Sequence, residues 1–201
     1  MKSLQKISEY CIEGHPLVIP FFIGLHAGLR VSEVCKLQWE HVDLERGTLR
    51  VEQAMISQDS EWVYGTTKTA ASKRQIQLGV SIINILKKHR IWVMKNKLKY
   101  GTHYTESDHV CTKECGSIIT PSVIKYNTRK MQEKLGVEFN FHSLRHTHTT
   151  MLMESGAKVK DIQAHLGHSR SAITIDSYSH LTQKKQNESV DIFEQAMRDL
   201  D

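Results

Sequence analysis

The chain has 201 residues, 39% of them hydrophobic and 24% charged, the balance of an ordinary globular protein rather than a disordered or fibrous one. Its longest nearly apolar run, Leu17 to Leu25, is interrupted by Pro20 and falls well short of the roughly 20 residues a membrane-spanning helix needs. Four cysteines (Cys11, Cys35, Cys111 and Cys115) with no apolar leader segment read as reduced thiols, so a cytoplasmic protein is expected.

The net charge of +5 is unevenly spread. Between Glu61 and Glu106 there is no acidic residue, and this window holds Lys68, Lys73, Arg74, Lys87, Lys88, Arg90, Lys95, Lys97 and Lys99. The rest of the chain is net acidic. A single block that supplies the whole basic excess points to one face that meets a polyanion. A solvated, lysine-rich helix is the plainer reading of the same block.

In chain order, Leu4, Ile7 and Cys11 have helical spacing, and Pro16 opens a second, mostly apolar segment running to Leu29, which reads as a buried helix. Ser32 and Glu33 open a short helix with Val34, Cys35 and Leu37 on its apolar side. From Val42 the period changes. Arg46-Gly47 marks a turn, Thr48 to Gln53 alternates as a half-buried strand, and Glu61 to Gly65 and Arg74 to Leu78 read as two more. The polar stretch Thr66 to Ser72 joins the last two. Ser81 to Lys99 returns to helical spacing, Pro121 opens a helix that stops before Gly136, and His142 to Ser155 and Val159 to Leu166 each end at a glycine. Ser171 to Leu181 and Ser189 to Leu200 complete the set. The expected fold is α+β, mainly α, with one small antiparallel β-sheet.

Several short stretches hold residues suited to chemistry on a phosphate. In Phe141-His142-Ser143-Leu144-Arg145-His146, helical spacing puts His142 and Arg145 on one face while Leu144 turns to the core. Arginine offers a planar fork for phosphate oxygens, and histidine exchanges a proton near neutral pH. Arg30 lies at a junction in an apolar neighbourhood and needs a partner, for which Glu33 is placed three residues on; a junction salt bridge and an anion site are both open. Lys68, Lys73 and Arg74 sit on the connection between two strands, where small polar neighbours let a nucleic-acid backbone approach. His168 follows Gly167 at a helix end, and Tyr178 stands ten positions later. Twelve histidines and the Cys111/Cys115 pair raise the question of a metal. His142, His146 and His148 lack a carboxylate at ligand spacing and the cysteines lack a second pair, so no metal is expected.

The joint order of these motifs resembles the tyrosine recombinase (phage integrase) family. Arg30 falls in a G-L-R-x-S-E element, Lys68 in T-K-T-x-x-S-x-R, His142 and Arg145 in H-x-L-R-H, His168 in L-G-H and Tyr178 in Y-x-H-L. The resemblance runs from about Leu17 to Leu181 and implies the catalytic fold of that family. It also implies that Arg30, Lys68, His142, Arg145, His168 and Tyr178 are catalytic, with Glu33 in support. By that resemblance Tyr178 attacks a DNA phosphodiester and leaves a 3′-phosphotyrosyl bond, with no metal, nucleotide or other cofactor. Lys73, Arg74, Lys87, Lys88 and Arg90 are then the candidates for holding double-stranded DNA.

The resemblance further implies site-specific recombination, as in integration of a mobile element, and self-association on DNA up to a tetrameric synapse. The apolar stripe Val190, Phe193, Met197 and Leu200 in the segment 183–201 is a candidate for exchange with a neighbouring subunit. The catalytic pattern begins almost at Met1, so the chain is expected to be a single catalytic domain over 1–201, without the core-binding domain that precedes it in the family. A type IB topoisomerase-like nicking and resealing enzyme, and a catalytically silent DNA-binding module, are the alternatives.

Overall fold

A computed structural model describes residues 2–58, 61–66 and 73–167. Seven helices among these are α1 (Lys2–Tyr10), α2 (Val18–Ala27), α3 (Val31–Lys36), α4 (Val80–Tyr100), α5 (Pro121–Leu135), α6 (Phe141–Glu154) and α7 (Val159–Leu166). The strands are β1 (Val42–Asp43), β2 (Thr48–Val51), β3 (Gln53–Gln58), β4 (Glu61–Thr66) and β5 (Arg74–Gln77). The expected helices from Ser171 and from Ser189 lie outside the described residues.

Helix α2 is apolar on nearly every side, and such a helix has no stable place except the centre of a core. Its neighbour is α6. Gly24 makes the approach possible: a Cβ there would come within 2.9 Å of Leu144 Cδ1 and 3.1 Å of Phe141 Cζ. Leu144 and Ile23 are fully buried in the main core, which also gathers Leu49 and Ile76 from the sheet and Leu86 from α4. A smaller cluster, Met153, Ile162 and Leu166, joins α6 to α7.

The helix ends follow the local chemistry of the sequence. Thr120 caps α5 by accepting the Val123 N–H, and Pro121 takes the first turn, where its missing N–H costs nothing. Asn140 caps α6 by accepting the His142 N–H at 3.0 Å. Gly136 and Gly167 close α5 and α7 in left-handed conformation.

Among the described residues the expected small antiparallel sheet is present, and a separate two-stranded hairpin stands beside it. β1, β2 and β5 make an antiparallel three-stranded sheet in which Leu49 stands opposite Ile76, both facing the core. The chain leaves that sheet at Glu52, and among the described residues β3 pairs with β4, from Gln53 opposite Thr66 to Gln58 opposite Glu61. The β3 stretch groups its apolar residues Ala54, Met55 and Ile56 in one run, with no period-two alternation to mark it as a strand, which is why its pairing was not legible locally.

His89 of α4 is buried, with its ring Nε2 2.7 Å from the Val110 carbonyl and stacked between Trp39 and Trp92. Burial pulls its pKa down to about 4, so the ring sits in the core as a neutral hydrogen-bonded spacer.

Because Gly24 lies against two side chains of α6, the variant Gly24→Val should be destabilised by about 1–3 kcal/mol through overpacking. Thermal or urea unfolding measures this; wild-type stability in the variant would show that α2 and α6 are not in close contact.

Candidate active site

The turn between α2 and α3 sets the first arginine. Gly28 ends α2 in left-handed conformation (φ 64°), with its N–H on the Gly24 carbonyl. Space requires glycine as much as φ does, since a Cβ would fall 2.7 Å from Leu166 Cδ2 and 2.9 Å from His148 Cδ2. Two residues later Arg30 takes the N-cap position of α3.

The carboxylate of Glu33 is almost fully used. Its Oε2 accepts the Arg30 backbone N–H at 2.8 Å and Arg74 Nη2 at 2.9 Å. Its Oε1 accepts Arg30 Nη1 and Arg74 Nη1, each at 3.0 Å. The Arg74 contact is thus a two-pronged pair, the strongest geometry available to these groups. Burial alone would raise the Glu33 pKa, but the Arg74 hydrogen bonds and charge, aided by Arg30, hold it below the ordinary carboxylate value. The side chains of Glu33 and Arg74 are 2% and 4% exposed, whereas that of Arg30 is 38% exposed. Of the two guanidinium groups on this carboxylate, Arg30 is the one that reaches solvent.

A third guanidinium stands beside them. Arg145 of α6 is 3% exposed, donating through Nη1 to the Gly28 carbonyl at 2.8 Å and through Nη2 to the Leu166 carbonyl. Both acceptors lie at helix C-termini, where carbonyls lack intrahelical partners and the helix dipole is negative. Burial, then the charge of Arg30, pulls the Arg145 pKa down to about 9, with Glu33 opposing, so it stays cationic at neutral pH. Its other N–H groups are not used by these two carbonyls. His142, one turn before Arg145, is exposed. Burial of part of its ring, then His146, Arg145 and Arg30, lower its pKa, which favours the neutral base.

The structure therefore brings Arg30, Glu33, His142 and Arg145 together. Lys68, His168 and Tyr178 lie outside the described residues, although β4 and α7 each end two residues before the first two in sequence. Lys73 is exposed at the start of β5. Arg74, expected on the DNA surface, is corrected by its burial: its head is spent on Glu33, and its Nε donates to the His165 carbonyl at 2.8 Å. Lys87, Lys88 and Arg90 meet other neighbours. Lys87 is 3.3 Å from Glu45, Arg90 lies over the Trp39 ring, and Lys88 lines a cavity of about 200 Å³ with His89 and Trp92. Lys97 and Lys99 of the same helix are paired with Glu106 and Glu114.

Two features went unnoticed in the sequence. One is a groove of about 980 Å³ between the β3–β4 hairpin and α5, bordered by Val31 next to Arg30 and rimmed by Trp62, Lys125, Arg129 and Asn140. Trp62 Nε1 donates to Ser122 Oγ across it at 3.2 Å. The other is a pair of histidines, His148 and His165, whose Nε2 atoms are 3.0 Å apart. His148 stood in plain view in His146-x-His148, but only tertiary packing supplies its partner. Among the described residues no helix is long and apolar enough to cross a membrane.

The sequence profile described as the phage integrase family matches residues 2–185. A protein named tyrosine recombinase XerC-like from Caldanaerobacter subterraneus subsp. tengcongensis is 32% identical, over 94% of this chain and 52% of its own length. The integrase of Staphylococcus phage L54a is 31% identical over 80% of this chain and 47% of its own. The chain thus spans about half the length of the curated relatives it matches. Among solved structures, the Tn1549 transposon integrase in complex with transposon right end DNA has a TM-score of 0.73 at 20% identity, covering 94% of this chain and 62% of that one. XerA recombinase has a TM-score of 0.68 at 18% identity, covering 92% and 63%. These structural likenesses bear out the mainly helical fold with a small antiparallel sheet.

Glu33→Gln removes the charge that faces Arg30 and Arg74, and should cost about 3 kcal/mol or more at neutral pH, as breaking a buried pair does. The Glu33 carboxyl is held low in the folded chain, so its contribution is complete above the unfolded value of about 4.3 and is lost as pH falls through the folded one. Unfolding curves of wild type and variant should accordingly converge in acid; a stability gap independent of pH would contradict the assignment.

Proposed function

The chain belongs to the phage integrase family, and on that premise we propose that it breaks and rejoins DNA strands in site-specific recombination. The observation that supports this most directly is the grouping of a solvent-facing Arg30, a buried Arg145 and a neutral His142 beside one saturated carboxylate. That is a site for a phosphodiester. A phosphate diester is anionic and gathers charge as an attacking oxygen closes on phosphorus; fixed guanidinium donors stabilise that charge without reorganising.

In the proposed reaction the Tyr178 hydroxyl attacks phosphorus, the bond from phosphorus to the 5′ oxygen breaks, and a 3′-phosphotyrosyl ester forms. A phenol with a pKa of about 10 needs a base to give up its proton at neutral pH. His142 takes that proton, and Lys68 returns one to the departing 5′ oxygen. Arg30 and Arg145 hold the nonbridging oxygens, His168 adds a hydrogen bond, and Glu33 orients Arg30. The ester keeps the energy of the broken bond, so religation to another strand needs no nucleotide. The three cationic side chains supply the positive charge that a metal supplies in many nucleases.

The partner in this reading is double-stranded DNA. Its backbone runs along the groove beside Val31, where Lys125 and Arg129 extend the positive field of Arg30. Self-association on DNA, with segment 183–201 exchanged between subunits, and a cytoplasmic setting complete the proposal.

A suicide DNA substrate, nicked so that the short fragment carrying the new 5′-hydroxyl diffuses away, tests the chemistry. Wild type should form a covalent adduct, Tyr178→Phe none, and Arg30→Ala should form it roughly 10² to 10³ times more slowly. Failure of wild type to form any adduct on DNA carrying its own crossover site would sink the reading.

The lowered pKa of His142 sets a second expectation. The base is neutral above its folded pKa, so the acidic limb of the cleavage-rate profile should fall below the ordinary histidine value of about 6.5. A limb at or above that value would exclude His142, as placed here, from the role of proton acceptor.

A further inference from the structure

Arg74 takes no part in the reaction as proposed. Its side chain is 4% exposed and closed to a substrate, yet its head sits among the groups that hold the clamp together. Nη1 and Nη2 donate to the two oxygens of Glu33 at 3.0 and 2.9 Å, and Nε donates to the His165 carbonyl at 2.8 Å. The same two Glu33 oxygens accept Arg30, through its Nη1 and its backbone N–H. The next carbonyl of α7, that of Leu166, accepts from Arg145. Arg74 thus shares a carboxylate with one arginine of the clamp and a helix end with the other.

The charge balance shows what Arg74 adds. Glu33 Oε1 lies 3.0 Å from Arg30 Nη1, and an arginine in contact with a carboxylate acts on an approaching anion as a dipole rather than as a cation. With Glu33 as its one charged neighbour, Arg30 would be well oriented and weakly attractive. A second guanidinium on the same carboxylate leaves one net positive charge on the group. Arg145, which stays cationic at neutral pH, raises that to two charges where the cluster without Arg74 would have one.

The placement of Arg74 suits that role. Water and salt screen a buried charge less than a surface one, so its field acts on its neighbours with little loss. The Glu33 carboxyl also responds to Arg74 more than to Arg30. Burial pushes its pKa up, and the Arg74 hydrogen bonds and charge oppose this first, with those of Arg30 second. The exposures divide the two arginines in the same sense, since the Arg30 side chain is 38% exposed and can meet an anion.

We propose that Arg74 is a positioning residue that works as a buried counter-charge: it engages the Glu33 carboxylate, so that Arg30, oriented by that carboxylate, still presents a net positive charge to the phosphate. The inference rests on the reading of Arg30 and Arg145 as a phosphodiester clamp. Orientation and attraction then come from different groups. Glu33 fixes Arg30 and weakens its field, and Arg74 offsets the weakening from a place closed to solvent. A plain structural tie between β5, α3 and α7 would use the same contacts, but it would respond differently to substitution. A tie depends on geometry, whereas a counter-charge depends on the sum of charges.

The test is binding of inorganic sulfate at neutral pH and low chloride, read by NMR from the His142 ring of chain labelled with nitrogen-15 at histidine, with near-ultraviolet circular dichroism to check the fold of each variant. Sulfate should shift His142 in wild type, and Arg30→Gln should weaken binding about tenfold. Arg74→Gln, which leaves Glu33 to cancel Arg30, should weaken it to a similar degree. Arg74→Lys keeps the charge while losing the two-pronged geometry, and should stay within about threefold of wild type. In Glu33→Gln/Arg74→Gln the carboxylate and its counter-charge are both gone, and affinity should recover to within about threefold of wild type. Unchanged binding in a folded Arg74→Gln would overturn the counter-charge and leave the clamp standing. Equal losses in the lysine and glutamine variants, without recovery in the double variant, would do the same and reduce Arg74 to a tie. If Arg74→Gln does not fold, the double variant decides: near-wild-type binding supports the proposal, and lost binding with the fold intact overturns it. No sulfate binding by wild type, or binding unchanged in Arg30→Gln, would overturn the phosphate reading of the site and the counter-charge with it.

Discussion

Everything in the site depends on how a folded chain keeps three guanidinium groups close together. Arg30, Arg74 and Arg145 repel one another, and two of them are nearly closed off from water. Separating charge from water costs several kcal/mol per ion unless partners replace the lost hydration. Glu33 is the partner with full charge, and it takes two arginines through four hydrogen bonds. Among the described residues, Arg145 is held by carbonyls at the ends of α2 and α7 rather than by a carboxylate. Helix termini thus do the work that counter-ions do elsewhere. The arrangement leaves the exposed face of Arg30 positive, and a positive face held by rigid partners is what an anionic substrate needs.

The fold supplies those partners from distant parts of the chain. α2 brings the Gly28 carbonyl, β5 brings Arg74, α6 brings Arg145 and α7 brings the Leu166 and His165 carbonyls. None of these elements could hold the site alone. Gly28 shows how tightly they meet, since the space its side chain would occupy is filled by Leu166 and His148.

Much of this was legible in the sequence where the signal is local. Pro121 and Gly136 bound α5, Gly167 ends α7, and Glu33 pairs with Arg30 three residues away, because turns, caps and helical neighbours are set by nearby residues. What needed the structure was long-range. Arg74 looks like any surface base in Ser72-Lys73-Arg74, and only the packing of β5 against α3 and α7 turns it inward. β3 has no alternation to mark it: Met55 reaches the core, but the strand is recognised through its pairing with β4, which lies elsewhere in the sequence. The basic block has a related limit in sequence: charge along a chain does not reveal which lysines of α4 have acidic neighbours. The histidine pair was invisible because its members are 17 residues apart on different helices.

The three tryptophans divide the molecule in a useful way. Trp39 and Trp92 flank the buried ring of His89, while Trp62 stands 37% exposed at the groove beside α5, tied to it through Ser122. Replacing Trp39 and Trp92 with phenylalanine would leave a single indole, and its emission would come from the wall of the groove. The protein thus contains its own optical probe for whatever enters there, without a dye or a label.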